Sequence, residues 1–204
     1  MLEMARAVRA PLLLVCSTTS AHAVDDFDTQ VAHLRKLAML AVPLGVRIAF
    51  EGLSWGRFID DVPGAWAAVS AADRANLGLA IDSFHLLAKE TPLDVLDEID
   101  PNKLFFVQLS DFMWSAPSTP DERRETARHL RVFPGEGAHS AAVADLIRAI
   151  DRLGYAGDYS FEVFNDDYTQ MQLGRVTERA RRSVGWITDH VSRRSLPVRR
   201  PVAA

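Results

Sequence analysis

Four side chains able to ligate a hard cation stand at matching places in the chain, each directly after a short apolar run. Glu51 follows residues 46–50, Asp82 follows 77–81, Gln108 follows 104–107 and Glu162 follows 159–161. Short apolar runs of this kind read as strands buried in a parallel sheet. When such strands close into a ring, the side chains at their carboxyl ends converge on one mouth. Three carboxylates and an amide oxygen gathered there suit a single hard divalent cation such as Mg2+ or Mn2+. The plainer alternative is four unrelated polar residues that merely end buried strands.

Bulk composition narrows the partners. The chain has 204 residues, 48% hydrophobic and 25% charged, which suits one soluble domain with a sizeable core. A net charge of -4 supplies no field for nucleic acid, so no nucleic-acid partner is expected. No apolar run approaches a membrane span, so no membrane partner is expected either. The single cysteine, Cys16, cannot form an internal disulfide, and its apolar run implies a buried, inert thiol in a cytoplasmic protein.

The elements that must position the four ligands can be read along the chain. The amino terminus imitates a secretory signal, with Arg6 and Arg9 before the apolar stretch 10–15 and Ala21-His22-Ala23 at cleavage-site spacing. That stretch is short and holds Pro11, so residues 12–16 read better as another buried strand, followed by the polar loop 17–20. Helical spacing covers 28–44, with Val31, Leu34, Leu37, Ala38 and Ala41 on one face and Asp25, Asp26 or Asp28 as cap. Further helices are expected over 64–72, over 91–99 with Pro92 in the first turn, over 140–153 up to Gly154, and over 169–191.

Strand and helix thus alternate through about five βα units, which demands an α/β fold with parallel strands covered by helices. No glycine fingerprint of the dinucleotide-binding type follows the first strand, and polar strand ends suit a barrel mouth better than one crevice. The expectation is a partial (β/α)8 TIM barrel over residues 1–191, with a flexible basic tail over 192–204. A closed barrel has eight strands, so residues 1–6 read as the end of a helix begun earlier. Two open sheet edges would then favour self-association.

Five segments carry a resemblance to a known family. They are Ala49-Phe50-Glu51-Gly52-Leu53-Ser54-Trp55-Gly56-Arg57, Leu79-Ala80-Ile81-Asp82-Ser83-Phe84-His85, Phe105-Phe106-Val107-Gln108-Leu109-Ser110-Asp111, Arg128-His129-Leu130-Arg131-Val132-Phe133-Pro134-Gly135-Glu136-Gly137, and the stretch from Gly154 to Asp166. From about Leu2 to Val191 the chain resembles the carboxyl-terminal two-thirds of the xylose-isomerase-like TIM-barrel superfamily of sugar phosphate isomerases and epimerases. Within it, the likeness runs to bacterial 3-dehydroshikimate dehydratases, on the glutamine in place of a histidine ligand, the Arg-His-x-Arg run and the closing Glu-x-Phe-Asn-Asp.

The resemblance implies that Glu51, Asp82, Gln108 and Glu162 hold Mg2+, Mn2+ or Co2+, and that neutral Gln108 trims the site's negative charge. It implies a lyase that dehydrates 3-dehydroshikimate to protocatechuate through an enolate, with His85 as the base that removes the proton; in an isomerase or epimerase of the same superfamily, Glu51 and Glu162 would double as ligands and opposed catalytic bases. His85 suits proton transfer near neutrality, and is set against the usual structural role of a lone histidine. Arg128, His129 and Arg131, expected in a loop, would bind a substrate carboxylate, unless they form a solvated helix end. The implied substrate is a cyclic hydroxy-keto acid or a sugar. The alternatives are a sugar or sugar-phosphate isomerase or epimerase, and an inactive barrel fragment that acts only by binding. Trp55, Phe112 and Trp114 either wall the mouth or pack under loops, and Gly135-Glu136-Gly137 reads as a tight turn.

Overall fold

A computed structural model describes residues 1–192. The tail expected over 192–204 falls, beyond Ser192, outside the described residues. Five strands, β1 (Leu12–Cys16), β2 (Arg47–Glu51), β3 (Leu77–Asp82), β4 (Leu104–Leu109) and β7 (Tyr159–Phe161), form one all-parallel sheet in the order β1-β2-β3-β4-β7. β5 (Asp111–Phe112) and β6 (Arg131–Val132) pair antiparallel beside it. The sheet is an open half-barrel whose strands come in chain order, each next strand reached by a crossover, as right-handed βα units require.

Helices α1 (Leu2–Ala7), α2 (Phe27–Ala41), α3 (Val62–Ala72), α4 (Ser83–Ala88), α5 (Pro120–His129), α6 (Ser140–Leu153), α7 (Asp166–Thr169) and α8 (Leu173–Trp186) accompany the strands. α2 starts where Asp26 accepts from the amides of Asp28 and Thr29 and gives way to a 3-10 turn at Val42–Leu44, because Pro43 has no N–H to continue the ladder. α6 ends at Gly154, whose φ of 94° is open to glycine and costly for other residues. One continuous core joins Ile48, Leu77, Leu79, Ile81, Val107 and Leu109 of the strands to Ala38, Val69, Leu146, Ile147 and Ile150 of the helices. Each large side chain fully buried there contributes roughly 1.5–3 kcal/mol.

Two helix expectations need correction. Residues 91–99 form a six-residue 3-10 helix, Leu93–Glu98, and the α-helix following β3 is α4 instead. The segment between Pro92 and Pro101 is too short, and too rich in acidic residues, to propagate α-helix. The closing helix begins at Leu173, after the separate turn α7, which the Asn165 side chain caps, and it runs into a π-turn, Ile187–Ser192.

One irregularity sets the register of the site. Between β3 and β4 the pairing slips, from Leu79 opposite Leu104 to Ala80 opposite Phe106, leaving Phe105 as the extra residue and bringing Asp82 opposite Gln108. A β-carbon on Gly78 would lie 2.5 Å from both the Phe105 ring and the Lys103 carbonyl oxygen, so glycine is what admits this bulge. Among the described residues no strand pairs beyond β1 or β7, and no helix is long and apolar enough to cross a membrane.

Candidate metal centre

The strand ends deliver their side chains to one place. Glu51 ends β2 and is 3% exposed; Asp82 ends β3 at 1% and Gln108 lies near the end of β4 at 6%. Glu162 follows β7 directly, its amide donating to the Leu109 carbonyl across the sheet at 3.2 Å. Asp82 also caps α4, accepting from the Phe84 amide at 2.8 Å. That short helix carries His85 in its first turn, buried beside the carboxylates with Nε2 3.8 Å from Asp82 Oδ2. One ligand atom from each of Glu51, Asp82 and His85 lies within 4.8 Å of the others.

Arg131 is the counter-charge. Its guanidinium is buried, and Nη1 donates to Asp82 Oδ2 at 2.6 Å, to Glu162 Oε2 at 3.1 Å and to the Glu162 carbonyl at 3.3 Å. Nε donates to the Ala127 carbonyl, and the Phe84 ring lies 4.6 Å beneath Cζ. Ser83 and Ser110 latch the ends of β3 and β4, each oxygen–nitrogen or oxygen–oxygen contact being 2.8 Å.

One guanidinium cannot balance three carboxylates. Burial, with repulsion from Asp82, pushes Glu51 up to about 8, and the same two effects push Glu162 up to about 7. Burial acts to raise Asp82 too, but Arg131 and then His85 outweigh it and hold that carboxyl below the usual range. Burial drives His85 down to about 4, so its ring is neutral near pH 7. Among the described residues, two buried oxygens, Glu51 Oε1 and Gln108 Oε1, have no hydrogen-bond partner. Unpaired buried oxygens are costly, and here they sit in a cluster with surplus negative charge, so the donor set fits a divalent cation.

These shifts predict a pH dependence. Between pH 6.5 and 8 an unfolded chain has already lost its carboxyl protons, whereas the folded chain still holds protons on Glu162 and Glu51. The folded state binds more protons, so stability falls as pH rises through that window, by at most ~1.4 kcal/mol per unit for each carboxyl. His85 opposes this only below 6.5, where the unfolded histidine begins to take a proton that the buried ring refuses. Urea unfolding of chelator-treated protein at several pH values checks the sign. A stability that climbs from 6.5 to 8 would contradict it.

The other expected site residues are placed less uniformly. Of the trio expected in a loop, only Arg131 enters the centre, from strand β6. Arg128 and His129 form the last turn of α5. Arg128 is exposed and makes no hydrogen bond or ion pair among the described residues, while His129 Nδ1 contacts Asp166 at 3.1 Å. The loop expectation is thus corrected: the capping box of Thr119 and Glu122 starts a regular helix that runs to His129. Trp55 meets the His85 ring edge-on at 5.0 Å, Phe112 packs on Phe84 in the core, and Trp114 is exposed. Gly135-Glu136-Gly137 is a turn, closed by the Glu136 amide on the Phe133 carbonyl.

Two contributors were not foreseen. Ser54 orients His85, its amide donating to Nδ1 at 3.2 Å with Oγ 3.0 Å from the same nitrogen. Cys16 is exposed rather than buried, and its Sγ donates to Glu51 Oε2 at 3.3 Å. The missed signal for Cys16 is that its strand also ends on it, as β2 ends on Glu51.

A family profile described as xylose isomerase-like TIM barrel matches residues 1–190. The chain belongs to that family. Over 157 residues, 77% of the chain, it is 39% identical to the 3-dehydroshikimate dehydratase of Pseudomonas aeruginosa. The match spans about a quarter, 24%, of that relative's length. An inosose isomerase of Halalkalibacterium halodurans is 26% identical over 186 residues, covering 89% of the chain and 63% of the relative. A solved xylose isomerase-like TIM barrel/4-hydroxyphenylpyruvate dioxygenase fusion protein superposes with a TM-score of 0.85 at 32% identity, over 93% of this chain and 30% of that one.

Proposed function

We propose that this xylose isomerase-like barrel binds one divalent cation through Glu51, Asp82, Gln108 and Glu162 and serves a lyase that dehydrates 3-dehydroshikimate to protocatechuate. The observation that carries the reading is the pair of unpartnered buried oxygens, on Glu51 and Gln108, within a cluster of surplus negative charge. The 39% identity to a dehydratase supplies the substrate class. Mg2+, Mn2+ and Co2+ all suit oxygen donors of this kind.

A bound divalent cation would polarise the substrate ketone and stabilise charge developing on its oxygen. The residues divide the proton transfers. A backbone amide can only donate, so the Ser54 N–H makes Nδ1 of His85 an acceptor and leaves the ring proton on Nε2. In that form His85 is a donor, suited to protonate the departing hydroxyl. Proton removal beside the ketone falls in this reading to a carboxylate, Glu162, and its being the more open of the two raised glutamates supports that role. The electron pair moves to the ketone oxygen and returns to expel the hydroxyl as water, and aromatisation drives completion. Arg131 holds Glu162 and Asp82 in place.

A second reading keeps the site and changes the substrate. Glu51 and Glu162, both raised towards neutrality, could exchange protons with opposite faces of a sugar, and the inosose isomerase relative favours that class.

Two measurements test the proposal. Calorimetric titration of chelated protein with Mn2+ should show about one site, with Asp82→Asn weakening it tenfold or more. Asparagine keeps an oxygen for the Phe84 amide, so the start of α4 survives. Equal affinity in parent and variant would remove the metal. Incubation with 3-dehydroshikimate and Mn2+ should then give a catechol-type ultraviolet absorbance. Turnover of an inosose or ketose panel without any product from 3-dehydroshikimate would transfer the assignment to isomerase.

A further inference from the structure

We propose that Cys16 is a positioning residue of the metal centre: its thiol fixes one oxygen of Glu51 so that the other is presented to the cation. The inference rests on the metal-binding reading above and deepens it. Cys16 and Glu51 are register partners across the parallel β1–β2 pair, so their side chains leave the sheet on the same face at its carboxyl edge. Among the described residues the one hydrogen bond to the Glu51 carboxylate is that from Cys16 Sγ to Oε2, at 3.3 Å, and Oε1 has no partner although Glu51 is 3% exposed. The terminal torsion of a glutamate is broad, so without a donor on one oxygen the carboxylate is free to turn. The thiol supplies that donor without charge. A lysine or arginine in its place would set a positive charge beside the cation and repel it.

Orientation, not ligation, is the role the geometry supports. The Cys16 Sγ is turned to Glu51 Oε2 as a hydrogen-bond donor, whereas the compact set of ligand atoms within 4.8 Å, Glu51, Asp82 and His85, includes neither Cys16 nor Glu162. Gln108 Oε1, also buried and unpartnered among the described residues, stands on β4 level with Asp82, so the orphaned Glu51 oxygen is one of two at the strand ends.

Because Cys16 is the sole cysteine, its S–H stretching band in a Raman spectrum reports this one hydrogen bond. The band is expected at the lowered frequency of a donating thiol in the parent and at the free-thiol position in Glu51→Ala. Mn2+ binding, read from the electron paramagnetic resonance of free Mn2+, should weaken about tenfold in Cys16→Ala, as when a partner that orients a ligand is lost. Cys16→Ser, which restores a donor, should stay within about twofold of the parent, with all three proteins melting alike. A parent band at the free-thiol position overturns the inference whatever the metal does. So does a parent that binds Mn2+ no better than Cys16→Ala, or a serine variant that falls as far as the alanine one, which would point to packing. A parent that takes up no Mn2+ overturns the metal reading and the inference with it.

Discussion

Arg131→Met should lower the free energy of unfolding by about 3–5 kcal/mol, the usual cost of removing one partner from a buried ion pair. Asp82 is 1% exposed and accepts from Nη1 at 2.6 Å, so without the guanidinium its charge stays buried beside the Phe84 amide, neutral His85 and two further acids, with no cation to compensate it among the described residues. Glu162 loses less, because its side chain is 27% exposed and water can reach it. A domain has only about 5–15 kcal/mol of stability in total, so the variant could be largely unfolded at 37 °C. The double variant Arg131→Met with Asp82→Asn tests the cause, since removing the stranded charge should return most of the loss. Urea unfolding followed by circular dichroism measures both. A single-variant loss below about 1 kcal/mol, or a double variant no better than the single, would show that the pair is not the keystone its geometry implies.

His85→Ala should reduce dehydration of 3-dehydroshikimate by about 10²-fold, the typical weight of one positioned proton donor. Ser54 holds Nδ1 and Trp55 braces the ring edge, leaving Nε2 beside the carboxylate cluster. Mn2+ affinity serves as the control. If His85 acts on protons, affinity stays near the parent's while the rate falls. If His85 is instead a ligand, affinity and rate fall together. Unchanged turnover in a folded, metal-binding His85→Ala protein would dismiss it from the chemistry.

Much of the architecture could be read before any coordinates. The apolar runs before Glu51, Asp82, Gln108 and Glu162 became β2, β3, β4 and β7, because a strand covered on both faces needs an unbroken apolar run and stops where polarity returns. Helix ends were legible wherever one residue decides them locally, as Asp26 and Gly154 do. The stretch 91–99 was misread because its spacing is helical while its length between prolines is not. Arg128, His129 and Arg131 were indistinguishable as types. The end of α5 separates them, leaving two in its last turn and sending the third along β6 into the core.

Sequence alone thus established the parallel βα order and the four polar residues at the strand ends, since both follow from local polarity patterns with no long-range knowledge. Only the tertiary structure decided which groups share the centre. The bulge at Phe105, admitted by Gly78, brings Asp82 level with Gln108 across two strands. The reach of Arg131 to Asp82 spans 49 positions, and that of Cys16 to Glu51 spans 35. Side-chain charge and hydrogen-bonding capacity are written in each residue, but whether a carboxylate is pushed up to about 8 or held low depends on what burial places beside it. Glu51 and Asp82 are alike as acids and end neighbouring strands. They titrate in opposite directions because the one guanidinium at the centre is bonded to Asp82 and not to Glu51.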